Sequence, residues 1–401
     1  MHTRTLVRTL DNGITVIAGE IRSSTVAAVS TSFAHGFDQD SGNPGLSHLF
    51  EHLAVRGISR LADDPLVNGR TFRDSMTIAQ IVPASRIGNA LSTLQTIGVH
   101  GIIDEDDVRA ETAAVTNELN VMESTPYGGF PWRILPAALH PATAHGSDGY
   151  GRPDNLPTPG DTVDAFVTAW RPDRLVVSVL CSPERVGCVL EQASHILEGV
   201  PAALGAPIPP DPDGQVEKCS PFVRAGRHAA VAIGVRIASM IEDQKEYATA
   251  VVTAQWISTF GNVAARTAGH SLVALDASVG YFGTATTAGP ETFVLCFTGG
   301  THAEQLATTA HLVCEEFAHS IDAESAARSA VASAVQIGTA LDDNEFYASA
   351  LARCQQLFGD HTALDRLRIA VRSVTSSDVE AFVHTLLTRH NNWVGIDAHG
   401  Y

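Results

Sequence analysis

Charge and aromatic rings are scarce in this chain. Only 17% of its residues are charged and 6% aromatic, against 44% hydrophobic. Basic residues are the scarcer sign: 26 Lys and Arg face 44 Asp and Glu, which leaves a net charge of −18. A surface of that sign repels phosphate backbones and anionic headgroups, so neither nucleic acid nor a membrane is an expected partner. No apolar run approaches the roughly 18 residues of a membrane span. The six cysteines (Cys181, Cys188, Cys219, Cys296, Cys314, Cys354) contain no C-x-x-C pair and no Cys/His cluster, which argues against a disulfide framework or a structural zinc ribbon. Gly299-Gly300 is not followed by the G-K of a phosphate loop. The amino terminus, MHTRTLVRTLDNGITVIAGE, alternates like a strand and lacks the apolar block and cleavage site of a secretory signal; a cytoplasmic location is expected.

What is present is enough chain for two cores. A length of 401 residues suits two domains of roughly 200 residues each. Residues 5–20 read as a hairpin turning at Asp11-Asn12-Gly13, followed by a strand from Thr25 to Phe33. Asn43-Pro44 supplies a helix start, with Asn43 as cap and Pro44 in the first turn. A polar loop then precedes a strand (Asp74 to Val82) and two helices (Ala84 to Val99, Asp104 to Glu123). Residues 199–226 are rich in Pro and Gly and have no apolar period, which marks an interdomain linker. The expected division is a metal-binding domain at 1–200, a linker at 201–223 and a second domain at 224–401, in loosely repeated element order. Strands mixed with helices in both halves predict an α/β (α+β) fold, each half a sheet with helices on one face.

The chemistry concentrates in GLSHLFEHLAV, residues 45–55. His48 and His52 are four residues apart and share one face of a helix. Two imidazoles hold zinc weakly, and a catalytic site takes a third protein ligand with water in the fourth position. Glu51, between them, is placed to act as general base toward a water that zinc acidifies. Leu46, Leu49, Phe50 and Leu53 form the apolar stripe that would anchor this helix. A chance H-x-x-E-H in a chain with 17 histidines is on the order of a few per cent. The third ligand is sought on VRAETAAVTNELNVME (108–123), where Glu111 and Glu118 flank the stripe Val108, Thr112, Val115, Leu119 and Met122. Buried-edge carboxylates need a positive partner, and spacing alone leaves open which of the two ligates and which supports a ligand.

GLSHLFEH followed by RAETAAVTNE resembles the pitrilysin-type, or inverzincin, zinc metallopeptidases, in particular the small H-x-x-E-H-bearing subunits of the mitochondrial-processing-peptidase kind. Supporting likeness runs through 140–156, 166–180 and 373–387. The resemblance implies His48, His52 and Glu118 as zinc ligands, Glu51 as base and Glu111 as the supporting catalytic carboxylate. It implies two α/β domains forming half of a clam-shell chamber that binds extended peptides by strand addition. Two departures stand out. The stretch NGRTFRDSMT (68–77) lacks the family's G-G-x-x-N-A-x-T at the substrate-binding edge. In the second domain, where the family carries an Arg and a Tyr in R-x-x-x-G-L-A-Y, the chain reads LDASVGYFGTA (275–285), with Asp276 and Gly283 at those positions and Tyr281 nearby. The expectation is a zinc metalloendopeptidase subunit that removes leader or processing segments, in a heterodimer whose sister subunit supplies the Arg/Tyr pair. The rival functions are a zinc-binding assembly subunit without catalysis and a peptide-binding module.

Overall fold

The computed structural model describes residues 4–22, 25–40, 43–61, 66–100, 103–141, 144–151, 156–202, 222–226, 228–267, 274–280, 283–299, 302–388 and 393–398. Most of the expected linker at 201–223 lies outside these residues, as does Tyr281. In chain order the elements begin with β1 (Thr5–Thr9), β2 (Thr15–Glu20), β3 (Val26–Phe33), α1 (Leu46–Leu61), β4 (Leu66–Thr71), β5 (Met76–Pro83), α2 (Ile87–His100) and α3 (Glu105–Glu123). They continue with α4 (Leu135–Leu139), α5 (Pro159–Ala169), β6 (Leu175–Cys181), α6 (Val186–Leu197), β7 (Phe222–Gly226), β8 (Ala230–Ile237) and α7 (Gln244–Trp256). The last are α8 (Asn262–Thr267), β9 (Ala274–Val279), β10 (Glu291–Thr298), α9 (Ala303–Ser320), α10 (Ala323–Leu341), α11 (Asn344–Phe358), α12 (Ala363–Ala370), α13 (Ser376–Thr388) and β11 (Trp393–Ala398). Mixed α/β architecture with two sheets is the fold class the sequence pattern predicts. Among the described residues no helix is long and apolar enough to cross a membrane.

Contacts divide the chain into two compact units. One takes 1–116, 149–211 and 339–363; the other takes 117–148, 212–338 and 364–401. The division passes through α3, α10 and α12, each of which is an unbroken helix.

The first unit is built on a six-stranded sheet in the order β1-β2-β6-β3-β5-β4. β1 and β2 pair as an antiparallel hairpin, with Gly13 at φ +97° and Asn12 Oδ1 accepting the Ile14 N–H at 3.2 Å. β6 enters parallel to β2 and antiparallel to β3. Strand alternation sends Val29, Phe33, Ile78, Val177 and Val179 into the core shared with α1, α2 and α6. The opposite face, with Ile17, Ala28, Val176 and Leu180, is covered by Tyr347, Ala348, Leu351 and Ala352 of α11. This late helix is bonded to the sheet through Ser178 Oγ, which donates to the Ala348 carbonyl at 2.6 Å.

Two sequence expectations need revision. The polar loop placed after α1 contains the edge strand β4, paired antiparallel with β5 from Leu66↔Ile81 to Thr71↔Met76. It shows no apolar alternation because an edge strand with one open face has few sites that demand an apolar side chain. The start of α1 also differs. Pro44 lies in the turn before the helix, and Asp40, in place of Asn43, takes the free amides: its carboxylate accepts Gly45 N at 2.9 Å, Ser47 N at 2.8 Å and Ser47 Oγ at 2.5 Å. Burial pushes the Asp40 carboxyl up to about 7, against the pull of those three donors. Asp40 sits five residues before the turn glycine, too far for a local capping pattern to reveal it. Gly45, at φ +95°, lets the turn close against Gly151; a Cβ there would meet Gly151 Cα at 2.9 Å.

The second unit carries a five-stranded sheet ordered β7-β11-β8-β10-β9. One face holds Ala230, Ala232, Val294, Val394 and Ile396 against Ile134, Leu135 and Leu139. α7 is buried nearly all round, through Tyr247, Ala248, Thr249, Ala250, Val252, Thr253, Ala254 and Trp256.

Candidate metal centre

α1 has two faces of different chemistry. Leu46, Ser47, Leu49, Phe50, Leu53, Ala54, Gly57 and Ile58 are buried, and each large apolar side chain contributes about 1.5–3 kcal/mol to anchoring the helix. His48, Glu51 and His52 lie along the other face, half-buried. The two imidazoles meet edge-on with ring centroids 5.0 Å apart.

α3 brings the carboxylates. One ligand atom from each of His48, His52 and Glu118 lies within 4.8 Å of the others. Zinc at about 2.0–2.2 Å from each donor needs donors about 3.4 Å apart, a closure that small side-chain rotations achieve. Two nitrogens and one oxygen are the donor set of a zinc site with an open fourth position. Glu118 is exposed, as access to an open position requires.

Glu111, two turns earlier on the same helix, is 15% exposed, and its Oε2 is 3.2 Å from His52 Nδ1. Its other oxygen accepts from the Arg56 guanidinium at 2.9 Å. A carboxylate already bonded to Arg56 is an acceptor, so Nδ1 of His52 donates to it, and the Nε2 lone pair is left for a metal. The structure thus separates the two glutamates that spacing left equivalent: Glu118 stands among the ligand atoms and Glu111 behind a histidine.

Behind Glu111 is a network the sequence reading missed. Arg56 Nε donates to Asp107 Oδ1 at 2.6 Å, and Arg60 donates to both Asp107 oxygens. Burial pulls the Asp107 carboxyl upward, yet the bonds from Arg56 and Arg60 outweigh it and hold Asp107 below the usual carboxylate range. Arg56 is raised in turn, first by Asp107 and then by Glu111. The signal was available: Arg56/Arg60 on one helix and Asp107/Glu111 on the other are each like-charged i, i+4 pairs, of opposite sign to one another.

Glu51 points to β4. Thr71 Oγ1 donates to its Oε2 at 2.7 Å. In the second unit, among the described residues of the segment aligned with the Arg/Tyr motif, Asp276 on β9 accepts from Ser258 at 3.3 Å, Gly283 stands at φ +124°, and the Ala285 N–H donates to the Tyr247 hydroxyl at 2.7 Å.

No family model and no curated protein matches the sequence. Solved structures match over nearly the whole chain. A protease from Helicobacter pylori is 14% identical with a TM-score of 0.79, covering 98% of this chain and 99% of its own. A peptidase M16 inactive domain from Pseudomonas fluorescens is 12% identical with a TM-score of 0.76, covering 98% and 97%. The periplasmic protease PqqL from Escherichia coli is 13% identical with a TM-score of 0.70; the match covers 98% of this chain but only 47% of that one. At these identities the likeness establishes the fold, which is that of M16 peptidase domains, the pitrilysin type expected from the sequence. One of these neighbours is described as inactive, so the fold leaves activity to be argued from the residues.

Proposed function

We propose that this chain is the zinc-bearing subunit of a metalloendopeptidase acting on extended peptides. The observation that carries this reading is the convergence of His48, His52 and Glu118 within 4.8 Å, with Glu51 on the same helix face. Zinc, when bound, supplies a lowered water pKa and polarises the scissile carbonyl. His48, His52 and Glu118 would hold it, and Glu111 keeps the His52 ring in orientation. Glu51 takes the proton of the attacking water and returns it to the leaving amine. The outer edge of β4, which pairs only with β5 among the described residues, is where a peptide strand would add beside the base.

The site needs side-chain donors that this chain does not place at the family's Arg/Tyr positions, since Asp276 carries an anionic side chain and Gly283 none. A sister subunit supplying that Arg/Tyr pair completes the working peptidase, and the match to about half of PqqL is in keeping with a two-part assembly. The presence of Glu51 favours catalysis over a silent assembly subunit, because holding a metal requires no base.

The test is cleavage of unstructured peptides by the chain together with the protein that co-purifies with it. Glu51→Gln is expected to abolish hydrolysis while leaving the metal bound; undiminished cleavage would remove the hydrolase assignment. Full activity of the isolated zinc-loaded chain would remove the heterodimer.

A further inference from the structure

β4 touches the proposed base at two points. Strand alternation turns Gly69 and Thr71 toward α1, and Asn68 and Arg70 to the opposite face, where Asn68 Nδ2 donates to Glu345 Oε1 at 2.7 Å. Thr71 is 8% exposed, and its hydroxyl has one proton to give. Two acceptors compete for it, Glu51 Oε2 at 2.7 Å and the Ser47 carbonyl at 3.4 Å; the distances assign it to Glu51. Gly69 clears the other side of the same carboxylate. A Cβ built on it would stand 2.5 Å from Glu51 Cγ and 2.7 Å from Oε1.

We propose that β4 positions the general base: the Thr71 hydroxyl pins Glu51 Oε2, and the missing side chain of Gly69 gives Oε1 the place from which it meets the attacking water. The inference rests on the reading of Glu51 as base. Thr71 is a positioning residue, since it acts through Glu51. Its hydrogen bond to an anion is of the strong, charge-assisted kind, and it removes a rotation the carboxylate would otherwise have to lose in the transition state. The strand that would pair with the substrate therefore also sets the base, so peptide register and base position derive from one element.

Thr71→Val keeps the shape and deletes the hydroxyl, whereas Thr71→Ser keeps the hydroxyl. In the assembled enzyme Thr71→Val is expected to lower kcat by about 10- to 100-fold, with KM nearly unchanged. Zinc per chain and thermal midpoint should match the parent, and Thr71→Ser should recover most of the rate. Gly69→Ala should lower kcat with zinc retained. The inference is overturned by a parental kcat in Thr71→Val, by a change confined to KM, by loss of zinc or fold in that variant, or by Thr71→Ser being no better than Thr71→Val. Glu51→Gln in the same assay separates the two levels. If it cleaves like the parent, the base reading and this inference fall together; if it is inactive while Thr71→Val is fully active, only the inference falls.

Discussion

The two units share a five-strand pattern, to which the first adds β1. In the first, β2 runs parallel to β6, and β6-β3-β5-β4 continue antiparallel. In the second, β7 runs parallel to β11, and β11-β8-β10-β9 continue antiparallel. Each has a helix after its central strand, α1 after β3 and α7 after β8. The chemistry differs on those helices. α1 keeps an apolar face inward and spends the other on His48, Glu51 and His52, whereas α7 fills the matching place with small residues, Tyr247 and Trp256. Trp256 is 1% exposed, its Nε1 donates to Ser325 Oγ at 3.0 Å, and its ring packs edge-on to Phe317. One topology therefore supports a polar cleft face in one copy and a closed core in the other. Fold and function are separable within a single chain.

That comparison can be broken at its strongest point first. His48→Ala is expected to abolish peptide cleavage by the assembled enzyme, a loss of at least about 1000-fold if the proposed zinc chemistry operates; steady-state hydrolysis measures it, and retained activity would place the chemistry elsewhere. The counterpart substitution in the second unit acts on stability. Trp256→Ala should cost about 3–5 kcal/mol, seen as a lower urea midpoint, with zinc content unchanged in the folded fraction. A third variant sharpens the contrast within the first unit. Arg56→Ala removes the bonds to Asp107 and Glu111, so zinc affinity should fall about 10- to 100-fold, read by competition with a chelator, while a substitution on α7 leaves it unmoved.

The smallest effect is a pH dependence in the second unit. Lys245 bonds Asp378 at 2.8 Å, and that bond, followed by those from Thr375, lowers the Asp378 carboxyl to about 2. A depressed carboxylate contributes stability that is whole above its unfolded value near about 4 and is lost as pH falls through about 2. Lys245→Met should make the acid decline of the urea midpoint shallower across that window. Lys245 is 77% exposed, so solvent screening keeps the change slight.

Much of this was legible in the sequence because the relevant signals are local. The i, i+4 histidines and the Asp11-Asn12-Gly13 turn each follow from a short-range signal. The strand expected from Thr25 to Phe33 runs from Val26 to Phe33, with seven of its eight residues buried. What escaped depends on distant partners. β4 has no apolar alternation, since its less exposed positions Val67, Gly69 and Thr71 include a single apolar side chain. Asp40 caps α1 across a turn, and Thr71 reaches Glu51 across 20 residues. The separation of Glu111 from Glu118 required knowing which of them meets His52 Nδ1, a fact of helix packing that spacing on one helix does not contain.

The measurement that bears most directly on the difference between the units is metal content. Zinc quantified by mass spectrometry on the intact chain and on Glu118→Gln is expected to fall from one per chain to well below one, with the His48/His52 pair alone holding it weakly. Full zinc occupancy in Glu118→Gln would contradict the ligand set and move the centre away from the face where α1 meets α3.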